Sequence, residues 1–290
     1  MQKILVFNAS NSPSPYHVLA LTDYLASQAH GGAAGAAIVS MWEWRGRIVG
    51  FYESADPKPG IYRRISGGPG TEIYGKAVYA SLILPSSGLG EIVEKGFRLL
   101  RCLAGVDAEI IGGRAMLSGG SAVIGATRLG LGRYTPGVVE VILPGLDRIE
   151  KECITENDGL LEDLERGGIS WNVVDALAKS YSNPRWLARR GASAYQFRGS
   201  RYREGYWVSI GINISSDGRI SDAGLEGVFY AAPPLEPYKI LGELRGMPLE
   251  AYSLDIVRRR LQGTVEFCGI TGRDFEEAVR EALNSALENL

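Results

Sequence analysis

The sequence predicts an α+β protein, with a mixed β-sheet domain flanked by helices and a small α/β C-terminal domain. At 290 residues the chain is long enough to build two hydrophobic cores. Strand-like runs outnumber helical runs and follow one another at hairpin-like spacing, which favours a mixed sheet over a strict βαβ array. A stretch rich in Arg, Ser and Gly, with little periodicity, divides the chain. We therefore predict a first domain over 1–183, a linker over 184–205 and a second domain over 206–290.

The elements of the first domain follow from the spacing of apolar residues. Leu19 to Leu25, with the neighbouring alanines, has helical spacing. Two strands are predicted next, over 36–44 and 47–52, around a turn at Arg45-Gly46. The remaining elements are strands at 77–84, 108–111, 121–129 and 138–143, and helices at 90–104, 156–166 and 171–181.

The second domain begins with a β-hairpin. Tyr206 to Ile214 alternates with period two, Ser216-Asp217-Gly218 forms the turn, and a second strand follows over 219–230. Pro233-Pro234 ends the hairpin. Helices are predicted at 236–244, 253–261 and 273–287, and the last one begins with Thr271 and an acid at Asp274 in capping-box spacing.

Composition excludes several classes of function. Lys+Arg 31 against Asp+Glu 33 leaves a net charge of -2, so no overall field attracts nucleic acid or an anionic membrane. Cys102, Cys153 and Cys268 lie far apart without CxxC spacing, which predicts free thiols in a reducing cytoplasm. With two histidines and scattered cysteines, no metal site is expected. The apolar stretch at the start is too short for a signal peptide or a membrane span, so we expect a cytoplasmic protein.

One stretch carries the strongest chemical signal. Tyr62-Arg63-Arg64-Ile65-Ser66-Gly67-Gly68-Pro69-Gly70-Thr71 places two adjacent arginines before a glycine-rich turn. Arginines offer fork-shaped donors for an anion, and glycines let the backbone approach it closely. A solvated Arg pair beside a tight turn is the simpler alternative. The stretch matches neither GxxxxGK[ST] nor GxGxxG, so the common nucleotide-binding fingerprints do not apply.

This stretch resembles a known family. In lipoate–protein ligases a strand ends in Arg-Arg-x-Ser-Gly-Gly-Gly, and here Arg63-Arg64-Ile65-Ser66-Gly67-Gly68-Pro69 is similar. The helix around Ala20 and Asp23, the Trp-containing strand Ser40 to Trp44 and the strand Ile48 to Glu53 stand in the family's order.

The resemblance continues through the rest of the chain. Ser121 to Arg128 looks like the family's Lys-x-x-Gly-x-Ala-x-Arg strand. The segment 206–290 resembles the small accessory domain of these ligases, including the Gly218-Arg219-Ile220 turn and Gly227 to Tyr230 before Pro233-Pro234.

The resemblance implies ATP-dependent acyl activation. Lipoate, or octanoate, and ATP with Mg²⁺ would give an acyl-adenylate and pyrophosphate, and the acyl group would pass to a lysine of a lipoyl carrier domain. Arg63 and Arg64 would lie near the phosphates, where they would stabilise developing charge. The adenylate- and acyl-binding residues implied are Arg63, Arg64, Ser66, Gly67, Gly68, Gly70, Ala122 and Gly125. For the acyl tunnel the candidates are Trp42, Phe51 and Val78, each of which could equally be plain core.

The sequence departs from the family at positions that contact the reacting groups. Ala122 stands at the position of the family lysine, whose ammonium holds the acyl carbonyl and phosphate oxygens, and the span from Leu103 to Glu150 contains no lysine. Pro69 replaces the third loop glycine and removes an N–H donor. Lys76 is a weak candidate for a replacement amine, and a surface lysine is its alternative interpretation.

Three hypotheses therefore stay open. The chain is a divergent ligase or acyltransferase in which Lys76 or an arginine replaces the lysine, or a non-catalytic homologue that binds an acyl or adenylate ligand or the lipoyl carrier domain. In the third hypothesis it assists a true ligase. The residues leave the acyl group open among lipoyl, octanoyl and biotinyl.

Overall fold

A computed structural model describes residues 2–8, 14–29, 35–105, 109–117, 119–132, 135–146, 153, 159–163, 169–249 and 251–289. A large mixed sheet forms the first structural unit. Its strands are β1 (Gln2–Asn8), β2 (Gly35–Val49), β3 (Ile61–Arg63), β4 (Thr71–Ser86), β5 (Arg114–Leu117), β6 (Gly120–Arg128), β7 (Thr135–Pro144) and β8 (Gly159–Asp163).

The order of these strands in space is β5-β6-β7-β4-β2-β1-β8, and β3 pairs with β2. β1 runs parallel to β2 and to β8, and β3 runs parallel to β2. The other neighbours are antiparallel. The sheet is therefore mixed, as the sequence predicts.

Helices cover both faces of this sheet. On one face, α1 (Pro15–Gln28) and α3 (Trp171–Tyr181) pack over a core that includes Ile38, Ile73 and Tyr79. On the other face, α2 (Leu89–Ala104) packs over a core that includes Val78 and Ile124. The two faces alternate along each strand, since successive side chains point in opposite directions. Within the described residues, the helices are all too short or too polar to cross a membrane.

The second structural unit is built on a three-stranded antiparallel sheet in the order β11-β10-β9. Its elements are α4 (Pro184–Leu187), a 3₁₀ turn (Ala192–Ala194), β9 (Phe197–Arg203), β10 (Tyr206–Ile214), β11 (Ile220–Val228), β12 (Tyr230–Ala232), α5 (Glu236–Gly242), α6 (Ala251–Thr264), β13 (Glu266–Cys268) and α7 (Gly272–Leu287). The helix of α6 is interrupted at Gln262 and Gly263. The capping box that begins α7 is present, with Thr271 and Asp274 bonded reciprocally.

The two units share side chains across their boundary. Phe51 and Tyr52 follow β2 in the chain, yet both lie in the core of the second unit. Tyr52 stacks on Phe229 with ring centroids 4.2 Å apart. Arg128 at the end of β6 is fully buried and binds both carboxylate oxygens of Glu266 at 2.9 and 3.0 Å. These contacts join the units into one packed body at this boundary.

Several predicted elements differ from the structure because the neighbouring strands with which they pair determine their conformation. No turn forms at Arg45-Gly46, since β2 runs unbroken and pairs with β4 from Ala36 to Ile48. The predicted helix 156–166 is wrong over 159–163, which form β8 beside β1, and its other residues lie outside the described ones. The predicted strand 108–111 is wrong where it is described, since 109 and 110 are irregular and Ile111 forms only an isolated bridge.

The predicted linker 184–205 is more ordered than its composition indicates. It contains α4 and the edge strand β9, which pairs with β10 from Phe197 to Arg203. The alternating small and charged residues of β9 do not give the apolar pattern of a strand, because small residues face α7. Gly199 lies directly against the backbone of Ala278 and Ala282 in that helix. The domain boundaries themselves stay a prediction.

Two of the three cysteines are not free. Cys102 at the end of α2 and Cys153 form a disulfide, with Cα atoms 5.5 Å apart across a sequence separation of 51, whereas Cys268 is free. The prediction of free thiols was wrong for this pair because spacing along the chain does not show which cysteines the fold brings together. The expected reducing cytoplasm, which rested on free thiols, loses that support.

The pair of Arg128 and Glu266 yields a stability prediction. Glu266→Ala leaves the buried guanidinium of Arg128 without its carboxylate, so we expect the free energy of unfolding to fall by about 3 kcal/mol. Glu94→Ala is the control, because it breaks an exposed helical pair with Arg98 and should cost at most about 0.5 kcal/mol. Urea denaturation measures both, and equal losses in the two variants would contradict the role of this pair.

Candidate functional site

Arg63, the first residue of the arginine pair, is fully buried at the end of β3. Its Nη1 donates to the carbonyl oxygens of Gly50 (2.9 Å), Phe51 (3.1 Å) and Glu53 (2.8 Å). Its Nε and Nη2 donate to the carbonyl oxygen of Leu187, at 3.2 and 2.9 Å. Every nitrogen of this guanidinium is therefore bonded to backbone, and the residue joins β3, the turn after β2 and α4.

Burial also changes the proton affinity of Arg63. Desolvation, followed by the nearby positive charge of Arg189, lowers the pKa of Arg63 to about 10. A guanidinium with this pKa is still charged at neutral pH, and its backbone bonds are charge-assisted.

Arg64 is equally buried but is only partly satisfied. Its Nη2 donates to the carbonyl oxygen of Pro69 at 2.7 Å, which closes the glycine-rich loop on itself. Its Nε and Nη1 are buried and have no hydrogen-bond partner among the described residues. The two arginines thus differ: Arg63 is saturated by backbone, and Arg64 keeps donors available.

The glycine-rich loop, residues 66–70, is buried along its whole length. Gly67 forms a bridge with Ala126 on β6, and the N–H of Gly68 donates to the carbonyl oxygen of Phe229 at 2.8 Å. Gly68 has φ of +92°, and a Cβ there would collide with the carbonyl oxygen of Ile124 and the ring of Tyr230. Only glycine fits this position, for both reasons.

The second unit covers the loop. Tyr230 is fully buried against Gly68 and Gly113, and its hydroxyl donates to the carbonyl oxygen of Ile124 at 3.4 Å. Burial raises the pKa of Tyr230 well above its usual value, so it stays a neutral donor. Thr127 also donates to the carbonyl oxygen of Ala231 at 3.0 Å. On this side, the loop faces protein rather than solvent.

The two β6 positions expected at the site lie on opposite faces of the sheet. Ala122 is fully buried opposite Ala115, in the core beneath α2. Gly125 points to the other face, where a Cβ would collide with Ser66 Oγ and Arg64 Nη1. Gly125 therefore lies against Ser66 and Arg64, whereas Ala122 offers an apolar methyl group to the core, and the binding role of both positions stays a prediction.

The remaining candidates are dispersed. Lys76 is exposed on β4 opposite Glu43. Val78 is a core residue beneath α2, and the side chain of Trp42 lies outside the described part of the molecule. Phe51 packs against Tyr52, Trp186 and Tyr238, with the guanidinium of Arg189 4.9 Å from its ring centroid. Phe51 thus belongs to the core of the second unit, while Val78 and Trp42 stay candidates for an acyl pocket.

Sequence reasoning missed a buried polar network beneath α1. Glu140 in β7 accepts hydrogen bonds from Ser66 and, at 2.7 Å, from the hydroxyl of Tyr79. Thr22 shares a 2.8 Å bond with the same tyrosine hydroxyl. The signal that could have found it is one acid in the apolar run Val138 to Leu143, because an unpaired carboxylate is rarely buried.

Asp23 on α1 has an elevated proton affinity. It is half-buried and accepts a hydrogen bond from the hydroxyl of Tyr181. Desolvation raises the pKa of Asp23 to about 6, partly offset by the Tyr181 bond and reinforced by the charge of Glu140.

This elevated pKa predicts a pH-dependent stability difference. The folded-state pKa lies above the unfolded value of 3.8, so ionisation of Asp23 costs stability, increasingly as pH rises from about 4 to 6 and fully above that. Asp23→Asn should raise the free energy of unfolding at pH 8 by up to about 3 kcal/mol and change it little at pH 4. Asp56→Asn, at an exposed position, is the control for denaturant titrations at both pH values. A less stable Asp23→Asn protein at pH 8 would contradict this.

Comparison with known proteins places the fold. No protein-family model matches the sequence, and no curated protein matches it. LipL1 of P. falciparum, solved in complex with lipoate, matches with a TM-score of 0.59 at 12% identity, over 92% of this chain and 96% of that one. Lipoate-protein ligase A bound with ATP matches 64% of this chain and 98% of its own, at 11% identity and a TM-score of 0.45. The bipartite lipoate protein ligase of Thermoplasma acidophilum, studied with its E2 lipoyl domain, matches 66% and 98%, at 14% identity and a TM-score of 0.41. With the likeness to LipL1 extending over most of both chains, this protein has a lipoate–protein ligase-like fold.

Proposed function

We propose that this protein is a non-catalytic homologue of lipoate–protein ligases that binds a lipoyl carrier domain without modifying it. One observation carries the proposal: the arginine–glycine loop is occupied by the chain's own atoms. Arg63 donates to backbone carbonyls, Gly68 donates to Phe229, and Tyr230 packs on the loop. The loop has few donors left with which to hold an acyl-adenylate.

The β6 position of the family lysine supports the same proposal. Ala122 is fully buried in an apolar core, so no cation is available there to stabilise charge on an acyl carbonyl or phosphate. Loss of one such donor costs roughly 10²–10³ in rate. An adenylation step without this contact, in a closed loop, would be slow.

A carrier domain as the partner is supported by the fold. LipL1 shares the fold, and the T. acidophilum ligase was studied with its E2 lipoyl domain. A homologue can keep a docking surface on the outside of the fold while its catalytic site degenerates, because the two depend on different residues.

A divergent ligase is the second candidate, and one observation favours it. Arg64 keeps Nε and Nη1 buried without a hydrogen-bond partner in the described part of the chain, which costs free energy unless a ligand completes their hydrogen bonds. In that case the segment Phe229–Tyr230 would move away and let a phosphate or carboxylate reach Arg64. ATP with Mg²⁺ and lipoate or octanoate would then be its substrates.

The ligation assay separates the two candidates. The protein is mixed with ATP, Mg²⁺, lipoate or octanoate and a lipoyl carrier domain, beside an active ligase under identical conditions. We expect pyrophosphate release and carrier mass increase at least about 10²-fold below that ligase. Carrier-domain binding without ATP, followed by calorimetry, should nevertheless be measurable. Rapid pyrophosphate release would overturn the non-catalytic proposal, and absence of carrier binding would overturn the proposed partner.

Restoring the family lysine should not restore activity. Ala122→Lys places an ammonium group in a fully buried apolar position, so we expect a loss of stability of several kcal/mol, roughly 3–5, and no ligation. Ser121→Lys adds the same side chain at the half-buried neighbouring position and should cost far less. Thermal unfolding and the ligation assay measure both. Ligation by a stable Ala122→Lys protein would show that the rest of the site is competent.

A further inference from the structure

Glu140 is an acid in the middle of an otherwise apolar strand. It is 1% exposed, and it pairs in register with Gly125 across β6 and β7. A carboxylate buried at this depth is costly unless donors surround it. Its Oε1 accepts from the hydroxyl of Tyr79 at 2.7 Å, and its Oε2 accepts from the hydroxyl of Ser66.

The second of these donors belongs to the glycine-rich loop. Ser66 immediately precedes Gly67, whose N–H donates to Ala126 at 3.2 Å, and Gly68, whose N–H donates to Phe229 at 2.8 Å. The bond from Ser66 to Glu140 is therefore a side-chain attachment of the loop to the sheet. Charge-assisted hydrogen bonds of this kind are about twice as strong as neutral ones.

Arg64 lies beside the hydrogen bond between Ser66 and Glu140. Residues opposite each other in antiparallel strands point to the same face, so Glu140 points to the face that Gly125 leaves open. Ser66 Oγ and Arg64 Nη1 occupy the space that a side chain at Gly125 would take. The carboxylate, the hydroxyl and the incompletely bonded guanidinium thus converge over one glycine.

We propose that Glu140 is a positioning residue that holds the glycine-rich loop closed through Ser66 and supplies, from within the chain, the negative charge that an anionic ligand would otherwise bring to Arg64. The inference rests on the proposed function, because it treats this loop as the remnant of an acyl-adenylate site. An internal carboxylate has two effects on such a ligand. It occupies the Ser66 hydroxyl, and it repels a phosphate or carboxylate strongly because the surroundings are dry.

Hydrogen exchange of the loop amides tests the positioning role. In Glu140→Gln and in Ser66→Ala, exchange of the Gly67 and Gly68 amides, followed by NMR, should accelerate by about tenfold or more. Tyr79→Phe is the matched control, since it removes the other bond to Glu140 and leaves Ser66 attached. A merely structural role would accelerate exchange alike in Tyr79→Phe and Ser66→Ala, and that result would overturn the inference. Ser66→Ala carries the test alone should Glu140→Gln fail to fold.

Anion binding tests whether the negative charge of Glu140 keeps anionic ligands away from Arg64. Calorimetry with inorganic pyrophosphate should show an affinity at least about tenfold higher for Glu140→Gln than for the unaltered protein, while Tyr79→Phe stays unchanged. Equal affinities in the three proteins would overturn this part of the inference. Failure of this inference and failure of the proposed function are distinguishable: rapid ligation by the unaltered chain would refute the non-catalytic role and leave loop exchange as measured. Unchanged loop exchange in both variants would refute the positioning role alone.

Discussion

The buried guanidinium of Arg63 needs hydrogen-bond acceptors, and the backbone carbonyl groups that accept from it are held in place around it. Its acceptors are carbonyl oxygens of the turn at 50–53 and of Leu187, which lies more than 120 residues further along the chain. A charged group without these bonds would be too costly to bury. The glycine-rich loop begins three residues after Arg63, so its place in the fold depends on this one buried cation.

The adjacent residues Arg63 and Arg64 have different roles in this structure. Arg63 stabilises the fold through backbone hydrogen bonds, whereas Arg64 closes the loop on Pro69 and has two nitrogen atoms without a partner among the residues that the structure describes. A motif of this kind can therefore have a structural role that is separate from any ligand binding. The sequence pattern shows the shared fold, and only the hydrogen bonds separate the structural part of the motif from the part that could meet a ligand.

The parts of the fold that could be predicted are those decided locally. The helix Trp171–Tyr181 and the strand Tyr206–Ile214 follow from periodicity alone, and Arg64, Ser66 and Gly125, which come from two separate motifs, lie against one another. What could not be predicted depends on distant partners. β8 is a strand because β1 lies beside it and pairs with it. The carboxylate of Glu140 can be buried because the hydroxyls of Ser66 and Tyr79 donate hydrogen bonds to it. The cover provided by Tyr230 likewise needs the packing of both units.

The placement of Phe51 and Tyr52 bears on how the chain can be divided. Both rings are contributed by the N-terminal half and are buried in the core of the C-terminal half. A cut within 184–205 would leave that core without two aromatic side chains and would expose the same rings on the other fragment. Neither fragment would be a self-sufficient folding unit, and co-expressed halves would have to recombine before either became stable.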